Sequence, residues 1–199
     1  DPTLDTDALA RMAARLKKAG VREVRGGFHV WGGALPYVQS IDPSQPDHLG
    51  YSPSISGLSL NYNRVHFEWK RGKKGYAVAM DARSEKYRPV VTVAKMKVVN
   101  RDFPVYTYRD RNGADQWTVA RGALNKYGSR WLPVRKPEKY AGEVFRSLAR
   151  SHGITMKKPN VTRNRPAGQV IVQHQSAKVV HILKGMLKYS TNISAEMAG

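Results

Sequence analysis

Ser190-Thr191-Asn192 places a hydroxyl and a carboxamide two positions apart, between one apolar helical pattern and the start of another. In a short inter-helix turn such side chains project at a fixed angle. The hydroxyl can relay a proton, and the amide can donate to and accept from a peptide backbone. Alone the triplet is unspecific, because Ser and Asn are also helix-capping residues. Other patterns that carry chemistry are missing. With no cysteine there is no thiol nucleophile, zinc thiolate or disulfide. His29, His48, His66, His152, His174 and His181 are scattered, without an i, i+4 pair beside a Glu, and read as structural or surface histidines. Arg25-Gly26-Gly27 lacks the spacing of a dinucleotide fingerprint, and no Walker A loop occurs. No Gly-x-Ser-x-Gly elbow is present, so Ser52-Pro53-Ser54-Ile55-Ser56 reads as loop hydrogen-bonding residues. Neither a metal nor an organic cofactor is expected.

Lys and Arg number 34 against 15 Asp and Glu, a net charge of +19, in a chain of otherwise globular composition. Such an excess implies an anionic partner or surface. Lys70, Arg71, Lys73 and Lys74 stand between Trp69 and Tyr76. That cluster reads as a solvated hairpin turn before it reads as a phosphate-binding platform. No RNP-like string or basic recognition helix accompanies it, so nucleic acid rests on charge alone and is disfavoured. No apolar run approaches the roughly 18 residues of a membrane span, and no signal peptide opens the chain.

The elements that must position these residues follow from periodicity. Residues 1–20 read as a helix capped by Thr3 or Thr6, with Leu9, Met12, Ala13 and Leu16 on one face and Gly20 as its stop. Val21 to Val30 reads as a strand, and the proline-rich 34–57 as a long ordered loop. From Leu58 to Trp131 the pattern is β. Val65, Phe67 and Trp69 alternate with polar residues, and Asn112-Gly113 marks a hairpin. Pro137 opens a helix with Tyr140, Ala141, Val144, Phe145 and Leu148 inward, closed by Gly153. Ile154–Met156 and Val170–Val172 read as short strands. Ser176 caps a further helix with Val179, Val180, Leu183, Met186 and Leu187 inward, and Ser194-Ala195-Glu196 resumes helix after the Ser-x-Asn turn. The fold class is α+β, with a β-rich module over 1–134 and an α/β segment over 135–199.

Leu187-Lys188-Tyr189-Ser190-Thr191-Asn192-Ile193-Ser194-Ala195-Glu196 resembles the second active-site motif of class C low-molecular-mass penicillin-binding proteins. These are the serine D-alanyl-D-alanine carboxypeptidase/endopeptidases of the penicillin-binding protein 4 family. The opening Asp1-Pro2-Thr3-Leu4, Ala19-Gly20-Val21, Ser56-Gly57-Leu58-Ser59-Leu60-Asn61-Tyr62-Asn63, the Tyr140–Phe145 helix, Gly153-Ile154 and Gln175-Ser176 are similar to the family in order and spacing. The likeness spans essentially the whole chain and is loosest between about 64 and 130.

The resemblance implies acyl-enzyme chemistry built on Ser-x-x-Lys, Ser-x-Asn and Lys-Thr-Gly. Only the second motif is present, and Lys73-Lys74-Gly75 lacks the hydroxyl needed for the third. The family order puts the missing two upstream and downstream, so the chain is expected to be a fragment, inactive alone, of an exported, penicillin-sensitive enzyme. Residues 1–134 would be a module inserted between the first and second motifs, and 135–199 an incomplete transpeptidase/β-lactamase-like segment. Ser190 would relay a proton through the catalytic lysine to the departing D-alanine amine, and Asn192 would hold the substrate backbone. Thr191 stands where the family often has Asp, while Lys188 and Glu196 serve packing and solvation. The implied partners are peptidoglycan stem peptides and, for the intact enzyme, β-lactam antibiotics, in a periplasmic or extracytoplasmic setting. Anionic envelope polymers and pairing with a second copy remain open. The competing reading is a non-catalytic basic module that binds envelope polymers or wall enzymes.

Overall fold

The computed structural model describes residues 1–198. Helix α1 (Thr6–Lys18) starts on Asp5, whose carboxylate accepts the Ala8 N–H at 2.7 Å. Neither expected threonine is the cap. Thr6 lies inside the first turn, and its hydroxyl donates to Ala82 O at 2.7 Å. The expected face holds: Leu9 and Ala13 are buried, with Met12 and Leu16 packed beside them. Gly20, at φ 91°, turns the chain away in the left-handed region that glycine enters freely.

The single strand expected over Val21–Val30 is two. Strand β1 (Glu23–Val24) and β2 (Phe28–Val30) are separated by Arg25-Gly26-Gly27. They pair in parallel with separate partners far along the chain, which is why one continuous strand does not form. The sequence 34–57 is a loop without strands, fastened by a bridge between Val38 and Ile55.

Two three-stranded sheets carry the β-rich part. Strands β3 (Arg64–Gly72), β4 (Gly75–Asp81) and β8 (Tyr127–Pro133) form an antiparallel sheet in the order β4-β3-β8. Strands β5 (Ala94–Val99), β6 (Tyr106–Arg111) and β7 (Ala114–Ala120) form the other, in the order β5-β7-β6. The β6–β7 pair is antiparallel across Asn112 (φ 54°) and Gly113 (φ 67°), the backbone an Asn-Gly hairpin requires. Val65, Phe67, Leu132, Trp117 and Val119 point into the core between these sheets and the helices. His66, expected on the polar side of β3, is also buried, with its ring edge-on to Trp131 at 5.0 Å.

Helix α2 (Pro137–Ser151) begins with proline in its first turn and buries Tyr140, Ala141, Val144 and Leu148 in the same hydrophobic cluster that α1 enters. Gly153 follows at φ 74°. The chain then forms β9 (Thr155–Met156), parallel to β1, and β10 (Pro159–Val161), parallel to β2. Val170–Val172 is not a strand. It pairs with none of the described strands, and Val170 and Ile171 are exposed. Helix α3 (Val179–Tyr189) starts at Lys178 with no side-chain cap, so Ser176 lies outside it. Its apolar face is only partly inward: none of its residues is buried, Leu183 and Met186 are half-buried, and Val179, Val180 and Leu187 are exposed. Helix α4 (Asn192–Ala198) follows after one turn, seated by buried Ile193 and Ser194.

Candidate functional site

Ser190 closes α3 in the left-handed conformation (φ 50°, ψ 48°), and its N–H reaches back to Met186 O. Thr191 O accepts the N–H groups of Ser194 and Ala195 at 3.0 and 3.3 Å, which starts α4 at once. The chain therefore reverses within Ser190-Thr191, and Asn192 emerges on the first turn of the next helix. Its Nδ2 donates to Tyr51 O at 3.2 Å, tying the turn to the loop 34–57. Ser190 and Asn192 both border a cleft of about 120 Å³. The opposite walls are Gly50, Tyr51 and Pro53 of that loop and Tyr62 and Arg64 at the start of β3.

The Tyr62–Arg64 wall depends on an unusual backbone. Asn61, Tyr62 and Asn63 are all left-handed, at φ 51°, 58° and 48°. Asparagine tolerates that region, whereas a tyrosine there costs about 1 kcal/mol or more, so the flanking asparagines must hold it. They do so with buried amides. Asn61 accepts the Thr6 N–H at 3.1 Å and donates to the Thr6 hydroxyl at 2.9 Å. Asn63 accepts the Leu60 N–H at 3.1 Å and donates to Ser54 O at 3.0 Å. Tyr140, fully buried on α2, donates its hydroxyl to Arg64 O at 2.9 Å, and burial raises its pKa.

Arg64 is the only formal charge on the cleft walls, which among the described residues hold no carboxylate, histidine or lysine. Its guanidinium lies 5.2 Å from the Tyr62 ring centre and 5.5 Å from that of Trp131. Nε is buried with no hydrogen-bond partner, no ion pair forms among the described residues, and burial lowers the pKa of the group. A cation held against two aromatic faces without a counter-ion favours an incoming anionic group.

A second arginine shapes the cleft from behind. Arg135, 3% exposed, donates Nη1 to Gln39 O (2.8 Å) and Ser52 O (2.7 Å) and Nη2 to Asp47 O (3.0 Å). These carbonyls lie on both sides of Gly50 and Tyr51, so one guanidinium fixes the loop that faces Asn192. Its own backbone N–H donates to Asp115, a fully buried carboxylate that also accepts from Tyr108. Burial pushes the Asp115 pKa up, these two bonds opposing it.

Sequence reading located Ser190 and Asn192 on an inter-helix turn, and the structure brings both to one cleft. It missed Tyr51, Tyr62, Arg64 and Arg135. The nearest available signal was the doubled asparagine of Asn61-Tyr62-Asn63, a pattern suited to left-handed backbone. Among the described residues, no three His, Asp or Glu side chains converge at metal-ligating distance. The cleft can bind an anion and hold a peptide by hydrogen bonds, and its walls contain no base beside the Ser190 hydroxyl.

The family model described as the D-Ala-D-Ala carboxypeptidase 3 (S13) family matches residues 1–199. A D-alanyl-D-alanine carboxypeptidase from Actinomadura sp. (strain R39) is 26% identical over 214 residues, covering 99% of this chain and 39% of that protein. Among solved structures, penicillin binding protein 4 from Haemophilus influenzae superposes with a TM-score of 0.68 at 18% identity. That match covers 98% of this chain and 44% of the other. The same protein complexed with a novel β-lactam gives a TM-score of 0.62 at 18% identity, over 98% and 42% of the two chains. The likeness to these structures agrees with an α+β fold. The chain spans roughly two-fifths of the length of the relatives it matches.

Proposed function

Because the chain belongs to the D-Ala-D-Ala carboxypeptidase 3 (S13) family, we propose that it is the part of a serine-type D-alanyl-D-alanine carboxypeptidase/endopeptidase that contributes the Ser-x-Asn element. The observation that carries this reading is the cleft in which Ser190 and Asn192 face Tyr51 and Arg64. The acylating Ser-x-x-Lys and the Lys-Thr-Gly strand belong to sequence outside these 199 residues. The serine of the first forms an ester with the penultimate D-alanine of a peptidoglycan stem peptide and releases the terminal D-alanine. Water then hydrolyses the ester. Ser190 Oγ passes the proton from the catalytic lysine to the departing amine. Asn192 commits one amide hydrogen to Tyr51 O, so its second N–H and its Oδ1 remain for the substrate backbone. β-Lactams acylate the same serine. The protein works outside the cytoplasm, where its substrate lies. Assigning 1–134 to an inserted module and 135–199 to a partial transpeptidase-like domain belongs to this reading, supported by both three-stranded sheets lying within residues 64–133.

Labelling of the full-length protein with a fluorescent penicillin tests the reading. The intact enzyme is labelled, the 199-residue chain is not, and Ser190→Ala slows acylation by about 10²–10⁴-fold. An unlabelled, folded full-length protein, or an unchanged rate in Ser190→Ala, overturns it.

A further inference from the structure

The β3–β8 pairing brings together two basic stretches that are about fifty residues apart in sequence. Lys70, Arg71, Lys73 and Lys74 form the tip of the β3–β4 hairpin, and Arg121 and Lys126 flank the turn that leads into β8. The register sets Lys70 opposite Tyr127, and the Arg71 N–H donates to Lys126 O at 2.7 Å. Tyr76, opposite Arg71 on β4, donates its hydroxyl to Leu124 O at 2.7 Å and so pins the second stretch against the first. The two segments thus form one fixed surface.

All six cations are exposed, and none enters an ion pair among the described residues. Residues 69–80 and 116–137, which contain them, include no Asp or Glu. Elsewhere among the described residues Arg25 pairs with Glu23, Arg83 with Asp81 and Glu68, and Lys136 with Asp110. The tip is set apart by six cations on two pinned segments with no acid in either. Six like charges held this close repel one another, an arrangement that a bound polyanion relieves. Tyr127, 75% exposed beside Lys70, adds an amphipathic face to the patch.

β3 relates this patch to the cleft. The strand begins at Arg64, on the cleft wall, and ends at Gly72 in the basic tip, a run of roughly 26 Å in extended backbone. A partner gripped at the tip therefore leaves the cleft free. We propose that the β3–β4 tip and the Arg121–Lys126 turn form a docking surface for the carboxylate-bearing peptidoglycan network itself, holding the polymer while the cleft addresses one stem peptide. The partner's identity rests on the peptidase reading above, whereas the existence of a localised polyanion site does not.

Co-sedimentation of the 199-residue chain with purified peptidoglycan sacculi tests the proposal. At low salt the chain pellets with sacculi, and physiological salt weakens binding because exposed charges are screened beyond about 8 Å. Replacing Lys70, Arg71, Lys73, Lys74, Arg121 and Lys126 by Gln lowers binding at least about tenfold. A control that neutralises four exposed cations elsewhere, Arg11, Lys18, Lys157 and Lys158, lowers it far less per charge removed. Amidation of the sacculus carboxylates abolishes it. Absence of pelleting at low salt, or equal loss per charge in the control, overturns the surface. Undiminished binding to amidated sacculi overturns the carboxylate partner. Tip-dependent binding to duplex DNA as tight as to sacculi transfers the site to nucleic acid and also overturns the proposal. Penicillin labelling of the full-length protein does not involve the tip, so failure of the peptidase reading is scored separately.

Discussion

Replacing Arg135 by Met removes three hydrogen bonds and one buried charge, and the balance can be worked from the contacts. Bonds from a charged donor contribute about 1.5–3 kcal/mol each when the acceptor cannot turn to water. Ser52 is buried, while Gln39 and Asp47 are exposed, so the carbonyls of the latter two can be rehydrated when the loop relaxes. Against this stands relief of the desolvated guanidinium, which among the described residues has no carboxylate in ion-pair range and has an unpartnered Nε. The expected net loss is about 3 kcal/mol, or about 6–12 °C in Tm for a chain of this size. Arg135→Lys keeps the charge but replaces a planar fork with one ammonium, and should lose about half as much. Urea denaturation gives the stability change, and limited proteolysis of the folded variant reports on the loop 34–57. The clamp predicts cleavage in that loop well before global unfolding. A Met variant within about 0.5 kcal/mol of the parent refutes the argument, as does an equally large loss with the loop still resistant.

Asp115→Asn tests the cost of a buried carboxylate. The folded carboxyl has its pKa raised above the usual 3.8, so it binds its proton more tightly folded than unfolded. Its contribution is therefore fully present below the unfolded pKa and is lost as pH rises through the folded one. The stability advantage of the parent over the non-titrating variant should shrink as pH rises above about 4 in urea titrations, and a widening gap contradicts the assignment. Asp5→Ala removes the side-chain acceptor for Ala8 N–H at the start of α1 and should cost about 1 kcal/mol by the same assay, with Asp5→Asn recovering most of it.

Local signals carried the elements whose causes are local. The Asn112-Gly113 hairpin, the Pro137–Gly153 helix and the apolar stripe of α1 depend on a few neighbouring residues, and each forms as its spacing predicts. Elements that depend on a distant partner were misread. Val21–Val30 splits because β1 pairs with Thr155–Met156 while β2 pairs with Pro159–Val161, and nothing in a ten-residue window encodes that choice. Val170–Val172 has the β-branched composition of a strand but pairs with none of the described strands. The site divides in the same way. The inter-helix turn at Ser190–Asn192 was legible from the helical patterns on either side, whereas singling out Ser190 and Asn192 rested on the family resemblance of Leu187–Glu196. The facing wall was not, because Tyr51, Arg64 and Arg135 come from a loop, a strand start and the residue before α2, brought together only by the fold.

The charge of +19 looks at first like a burden on folding, and the interior shows why it is not. The chain has few acids, and it does not use them to neutralise its two most enclosed arginines. Arg135 donates its two Nη groups to three backbone carbonyls, and Arg64 lies against the rings of Tyr62 and Trp131. The buried carboxylate that is closest to Arg135, Asp115, accepts from its backbone N–H instead of its guanidinium. The core thus folds without needing acids to match its bases, and the cations left at the β3–β4 tip are under no internal demand. Packing explains Arg135, and the aromatic cleft wall explains the placing of Arg64. The tip has neither explanation: six cations face water, and two separate segments are pinned together to present them. That arrangement costs electrostatic repulsion in the free chain, which salt screens in part and a bound polyanion would relieve further.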